Sequence, residues 1–186
     1  MVILNLHLDF QYTSARSFLG SLKLPNLSSF TLKASRKASD CDGLYKLLER
    51  SNCPLSSLIL DCPSITDAGA VKLLEILTSS LEVFEIKCGL TGSGFGQILC
   101  QQLTHDLACL CPRLERICIW PCRNASSFYA MVKSRWTFPS NCKCRLQKLR
   151  SIEAGLEDSR ESCSQFAQWL KERRITSNLD VLPYSD

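Results

Sequence analysis

Histidine is nearly missing from this sequence: there are two in 186 residues, His7 and His105. A Cys–His nucleophile needs an imidazole beside its thiol, and nothing in the chain order places either histidine there. His105 and Asp106 are adjacent, and neighbours on a helix do not face each other. Phosphate loops, dinucleotide fingerprints and metalloprotease motifs are also lacking. The run Gly89-Leu-Thr-Gly92-Ser-Gly94-Phe-Gly96 has no Lys-Ser/Thr ending, so its glycines read as a turn and close packing at a helix start. No enzyme activity and no cofactor are expected. Long apolar runs are missing too, since no segment approaches the roughly 18–20 residues that span a membrane. Met1 to Leu8 is apolar but lacks a basic flank and is broken by His7 and Asp9, so it reads as a strand rather than a secretory signal. No large excess of one charge exists either: 22 basic against 18 acidic residues leave +4. The basic residues are scattered apart from Lys143, Arg145, Lys148 and Arg150.

What the chain does have is a recurring phrase. Leu55-Ser-Ser-Leu58-Ile-Leu60-Asp-Cys62 returns as Leu81-Glu-Val-Phe84-Glu-Ile86-Lys-Cys88, apolar at offsets 0, 3 and 5 and with cysteine at offset 7. Leu27-Ser-Ser-Phe30-Thr-Leu32 and Leu114-Glu-Arg-Ile117-Cys-Ile119 fit the same template. Ile3-Leu-Asn-Leu6-His-Leu8 fits as an opening copy, with Phe10 where others have cysteine. Leu146-Gln-Lys-Leu149 fits as a last copy that falters at Ser151. From anchors 3, 27, 55, 81, 114 and 146, the intervals are 24, 28, 26, 33 and 32 residues. A phrase recurring at about 20–50 residues marks a solenoid whose units bury their apolar faces against their neighbours.

Segments of helical period lie between the phrases. They are Asp40 to Ser51 with Leu44, Leu47 and Leu48 on one face and Asp40 as N-cap, and Thr66 to Leu77 with Val71, Leu74 and Leu77. Further on come Ser93 to Leu110 with Phe95, Ile98, Leu99, Leu103, Leu107 and Leu110, and Ala125 to Arg135 with Phe128, Met131 and Val132. Last is Glu161 to Arg174 with Phe166, Trp169 and Leu170. Alternating strand and helix predict an α/β fold with a parallel inner sheet and outer helices. Residues 1–155 are expected to form the repeat domain, and 156–186 a C-terminal helix and tail packed on or capping the last repeat.

The chain has twelve cysteines, which suggests a disulfide scaffold or a metal site. The repeat register argues for a third role. Cys62 and Cys88 stand where the chain leaves its strands, and Cys53 and Cys111 precede Pro54 and Pro112 just ahead of theirs. A buried thiol is a small hydrophobe with a weak donor, so reduced, buried cysteines are expected, in the cytoplasm or nucleus. Cys109/Cys111 and Cys142/Cys144 are each separated by one residue, where most zinc knuckles use about two to four. The alternative these pairs keep open, with Cys118 and Cys122, is a zinc-stabilised nucleic-acid-binding protein using the 143–150 basic cluster. No metal ligand is assigned in the favoured reading.

The stretch Cys53-Pro54-Leu55-Ser-Ser-Leu58-Ile-Leu60-Asp-Cys62-Pro-Ser-Ile65-Thr66-Asp67-Ala-Gly69 resembles the cysteine-containing class of leucine-rich repeats. Leu90-Thr91-Gly92-Ser-Gly94 and Cys111-Pro112-Arg-Leu114 repeat parts of it. Together with Trp120-Pro121 and Ser134-Arg135-Trp136, the wording is most similar to the repeat regions of fungal (basidiomycete) F-box-type proteins, over about residues 3–152. The resemblance implies a ribonuclease-inhibitor-like right-handed superhelix and a substrate-recognition part of a ubiquitin ligase. The F-box itself, a short helical motif opening on Leu-Pro, has no counterpart: Leu24-Pro25 introduces a repeat strand and Leu182-Pro183 lies near the end. Met1 runs straight into a strand without a polar cap, which fits a fragment, a wrong gene boundary or an end covered by a partner.

Alternation puts offsets 2, 4 and 6 on the face opposite the core. The expected concave surface is Asn5, His7 and Asp9; Ser29, Thr31 and Lys33; Ser57, Ile59 and Asp61; Val83, Glu85 and Lys87; Arg116, Cys118 and Trp120; then Lys148 and Arg150. Trp and Arg are frequent interface anchors. Arg116 and Trp120 are therefore the expected centre of a protein-binding site, with Asp61, Glu85, Lys87, Lys148 and Arg150 around them. For Trp120, packing under the following helix is the competing expectation.

Overall fold

The computed structural model describes residues 2–8, 12–34, 42–63, 65–88, 95–104, 110–137 and 146–182, with the side chains of 6–8 and 12–16 left aside. Strands and helices alternate along the described residues: β1 (Val2–Leu8), α1 (Tyr12–Ser21), β2 (Leu27–Ala34), α2 (Asp42–Ser51), β3 (Ser57–Asp61), α3 (Asp67–Ile76), β4 (Val83–Lys87), α4 (Gln97–Leu103), β5 (Arg116–Cys122), α5 (Ala125–Trp136), β6 (Ser151–Leu156), α6 (Arg160–Glu172) and β7 (Thr176–Val181). The strands form one 7-stranded sheet in the order β1-β2-β3-β4-β5-β6-β7, and every neighbouring pair is parallel. Parallel neighbours joined by crossovers of one hand carry all their helices on the same face, which leaves the other face of the sheet open.

Two rows of apolar side chains run across the helix-covered face. In one, Phe30, Leu58, Phe84, Ile117 and Ile152 are in register; in the other, Leu32, Leu60, Ile86, Ile119 and Ala154. Nearly all of them are fully buried, with Leu44, Leu47, Leu48, Leu73, Leu74, Leu99, Leu103, Phe128 and Met131 from the helices against them. A further ladder crosses the strand starts, one residue after each anchor leucine. Ser56 N donates to Ser28 O at 2.9 Å, Glu82 N to Ser56 O at 2.8 Å, Glu115 N to Glu82 O at 2.8 Å and Arg150 N to Glu115 O at 2.7 Å. These amides are thus paired even where the regular strands have not begun.

The 53–69 phrase does several structural jobs at once. Thr66 caps α3 by accepting from Gly69 N at 3.1 Å. Asp67, 9% exposed, accepts from Gly96 N at 2.7 Å and Ile98 N at 2.8 Å, so its carboxylate holds the start of the next repeat's helix. The Tyr45 hydroxyl donates to Gly69 O at 2.8 Å, and a side chain at Gly69 would crowd the Tyr45 hydroxyl. Gly96 has φ +95°, and a Cβ there would lie 2.8 Å from the Cys122 Sγ, so the position needs glycine for both reasons. Arg135 at the end of α5 is 1% exposed and donates to the carbonyls of Leu103, Leu110 and Cys111. Burial lowers its pKa to about 10, and the Arg-Trp helix ending proves to be a tie to the preceding repeat.

Several expectations need correction. α1 had no counterpart in the sequence reading. β1 is in register with β2 as Ile3 to Ser29 and Leu4 to Phe30, so Ile3 is not a core anchor but an exposed residue of the open face. Ile98 is likewise exposed, and Leu73 rather than Val71 completes the buried face of α3. The last repeat is anchored at Leu149, not Leu146: Ile152 aligns with Ile117 and Ala154 with Ile119. Ser151, read as the fault in that copy, is the first residue of β6. The stretch expected as a tail contributes β7, paired along β6. Asp9, Phe10, the proposed cap Asp40, Leu90 to Gly94, His105, Asp106 and Leu107 lie outside the described residues.

Candidate functional site: the open face of the sheet

Three rows cross the open face between the apolar ones. The first holds Ile3, Ser29, Ser57, Val83, Arg116, Ser151 and Thr176; the second Asn5, Thr31, Ile59, Glu85, Cys118, Glu153 and Asn178. The third contains His7, Lys33, Asp61, Lys87 and Trp120, and Gly155 with Asp180 continue it on β6 and β7. Alternation along each strand produces this arrangement, and the strand order brings Asp61, Glu85, Lys87, Arg116 and Trp120 together on β3, β4 and β5.

Arg116 Nη2 pairs with Glu85 Oε1 at 3.0 Å across β4 and β5. Cys118, one row further on, is fully buried although it sits on the open face. Burial, with the Glu153 and Glu85 carboxylates on either side, pushes its thiol up to about 12. A thiol held protonated at neutral pH is a poor nucleophile, and here it works as a filler beneath charged neighbours. Trp120 is half-buried. Its indole leans over β6 instead of going under a helix: a Cβ on Gly155 would meet three ring atoms at 3.0 Å. Gly155 is what allows the ring to lie flat against the sheet.

Lys148 and Arg150 are not on this face, because the last repeat is shifted by three residues from the expected register. Lys148 Nζ lies over the Trp136 ring, 4.6 Å from its centroid, and Arg150 pairs with Glu115 at 3.4 Å at the strand starts. Ser151 and Glu153 take the places assigned to them. One clue was available: Leu149-x-x-Ile152-x-Ala154 satisfies the template at all three offsets once alanine counts as apolar.

The eight described cysteines are free thiols, and all but Cys88 are buried. Cys62 N donates to Lys87 O and Cys88 N to Trp120 O, at 2.9 and 2.7 Å, which ties each strand exit to the next strand. The Cys111 thiol donates to Leu74 O at 3.6 Å. Among the described residues no group of three metal-ligating side chains is assembled. Cys109, Cys142, Cys144, Lys143 and Arg145, on which the zinc and nucleic-acid alternative rests, lie outside them. No helix among the described residues is long and apolar enough to cross a membrane. A second cluster lies on the helix side, where the Tyr129 hydroxyl donates to Asp158 Oδ2 at 2.9 Å and touches Cys163 Sγ at 3.3 Å. It borders a groove of about 300 Å³ between α5 and α6.

No protein-family model matches the chain, and no curated protein or solved structure does so either.

Proposed function

We propose that this chain is a leucine-rich-repeat module with the ribonuclease-inhibitor-like superhelical arrangement, and that it binds a protein partner on the open, concave face of its sheet. Residue phrasing supports the repeat class, and the sequential all-parallel sheet with its covered and open faces is consistent with it. One observation carries the functional reading: Arg116, Trp120, Glu85, Lys87 and Asp61, scattered over 60 positions of sequence, converge on adjacent strands of a face that no described helix covers. Anchor-type side chains grouped on a regular scaffold are the usual make-up of a protein interface. From the resemblance to F-box-type proteins we further propose that the partner is a substrate delivered to ubiquitin-dependent degradation, in the cytoplasm or nucleus; fold alone does not carry that step.

Affinity capture from the native cells tests the face. One stoichiometric protein partner is expected, lost from the Arg116→Glu, Trp120→Ala double variant while the variant's circular dichroism stays unchanged. Equal capture by the folded double variant overturns the reading. If the degradation step holds, the partner's half-life lengthens several-fold in cells without this chain.

A further inference from the structure

The three indoles of the molecule differ in what covers them. Trp136 carries the Lys148 ammonium 4.6 Å from its ring centroid, and Trp169 carries the Arg173 guanidinium at 4.0 Å. Trp120 has one ring face on Gly155, and among the described residues no cation or aromatic ring lies on the other. Two residues before Gly155 on the same strand stands Glu153, about 7 Å away along the chain. Its carboxylate is half-buried and makes no ion pair among the described residues. Arg116, diagonal to Glu153 on β5, is already engaged by Glu85. Lys87 flanks Trp120 from β4, on the side away from which the ring leans, so among the described residues the β6 side keeps an unpaired negative charge. Asp180, exposed on β7 in register with Gly155, adds to it.

We infer that the partner presents an arginine, whose guanidinium stacks on the uncovered face of Trp120 and pairs with Glu153. The inference rests on the reading of this face as a protein-binding surface. A planar guanidinium combines ring stacking with two-pronged carboxylate pairing, which an ammonium does not. Stacking alone is a modest attraction that grows when water is excluded. The molecule already makes the same contact within itself, between Arg173 and Trp169.

The test is a nuclear magnetic resonance titration of the indole N–H signals, with Trp120 assigned through Trp120→Phe. Capped hexa-arginine is expected to move the Trp120 signal and to bind several-fold more tightly than hexa-lysine. Glu153→Gln, an isosteric change on a half-exposed position, should weaken hexa-arginine binding about tenfold, near 1.4 kcal/mol. Unchanged affinity in Glu153→Gln, equal binding of hexa-lysine, or a Trp120 response to hexa-glutamate instead overturns the inference. Capture of the native partner separates this from the wider reading. If Glu153→Lys captures normally while Arg116→Glu with Trp120→Ala does not, the face binds protein but not through an arginine. If both capture normally, the protein-binding reading falls and takes this inference with it.

Discussion

Strands β5 and β7 belong to the same parallel sheet, separated by β6 alone, yet their surroundings are opposite. In β5, Ile117, Cys118, Ile119 and Cys122 are all fully buried. In β7 no residue is buried, and only Leu179 packs partly against the core. Following the register across β6, Ser177 of β7 stands where β5 has Ile117, and Leu179 stands where it has Ile119. Strand β5 has neighbours on both edges, helices below, and the Glu85, Arg116 and Glu153 side chains above Cys118. Among the described strands, β7 has β6 on one edge only. Burial in a stacked sheet is therefore conferred by the adjoining repeats, since Leu179 in β7 stays partly exposed where the similar-sized Ile119 in β5 is fully buried.

The largest test of that contrast is truncation in one row and the other. Phe84→Ala, in the fully buried row beside Ile117, should cost about 3–5 kcal/mol in urea unfolding. Leu179→Ala in β7 should stay below about 1 kcal/mol, and comparable losses would mean that β7 is as integral as the inner strands. Smaller is the effect of Gly96→Ala, whose positive φ and approach to Cys122 should cost about 1–3 kcal/mol. Combining it with Cys122→Ala removes the crowded sulfur and should recover part of the loss. Simple additivity of the two would show that backbone strain alone is responsible.

The smallest effect is a pH dependence. Burial pushes the Cys118 thiol up to about 12 in the folded state from its ordinary value of 9.0, so between these values the folded state holds the proton that the unfolded state has lost. Stability is therefore fully present below pH 9 and falls as pH rises, by about 1 kcal/mol for this thiol at pH 10. Cys111 shifts the same way, with Arg135 beside it opposing the shift. The slope of urea stability between pH 8 and 10 should flatten in Cys118→Ala. A thiol in β7 would show no such slope, so an introduced Asn178→Cys serves as the exposed control in the same row.

Much of this was legible from residue order, for reasons specific to each element. The alternation within Leu58-Ile-Leu60 and Phe84-Glu-Ile86 places side chains on opposite faces of any strand, so the faces of β3 and β4 were readable without contacts. Helices α2 and α5 likewise announced their buried sides through leucine, phenylalanine and methionine spacing. The last repeat was misread because Ala154 is too small to stand out as a core residue and Leu146 competes with Leu149 for the anchor. Both leucines are buried, so hydrophobicity could not choose between them; the hydrogen-bonded register with β5 does. Glu153 and Gly155 were missed as a consequence of that shift.

By itself the sequence determined the repeat, the two faces of the strands and the packing role of the strand-exit cysteines, since each depends on residues within a few positions of one another. Only the tertiary structure decided which strand lies beside which at what register, that Gly155 receives the Trp120 ring, and that Asp67 caps a helix in the following repeat. These are contacts between residues about 30 positions apart, and their geometry depends on how intervening helices and loops pack rather than on local periodicity. Whether an anchor residue faces a partner or is consumed within the molecule belongs to the same class. Trp120 was expected at the centre of the site and Lys148 beside it, and the register left the first open on the face and folded the second onto Trp136.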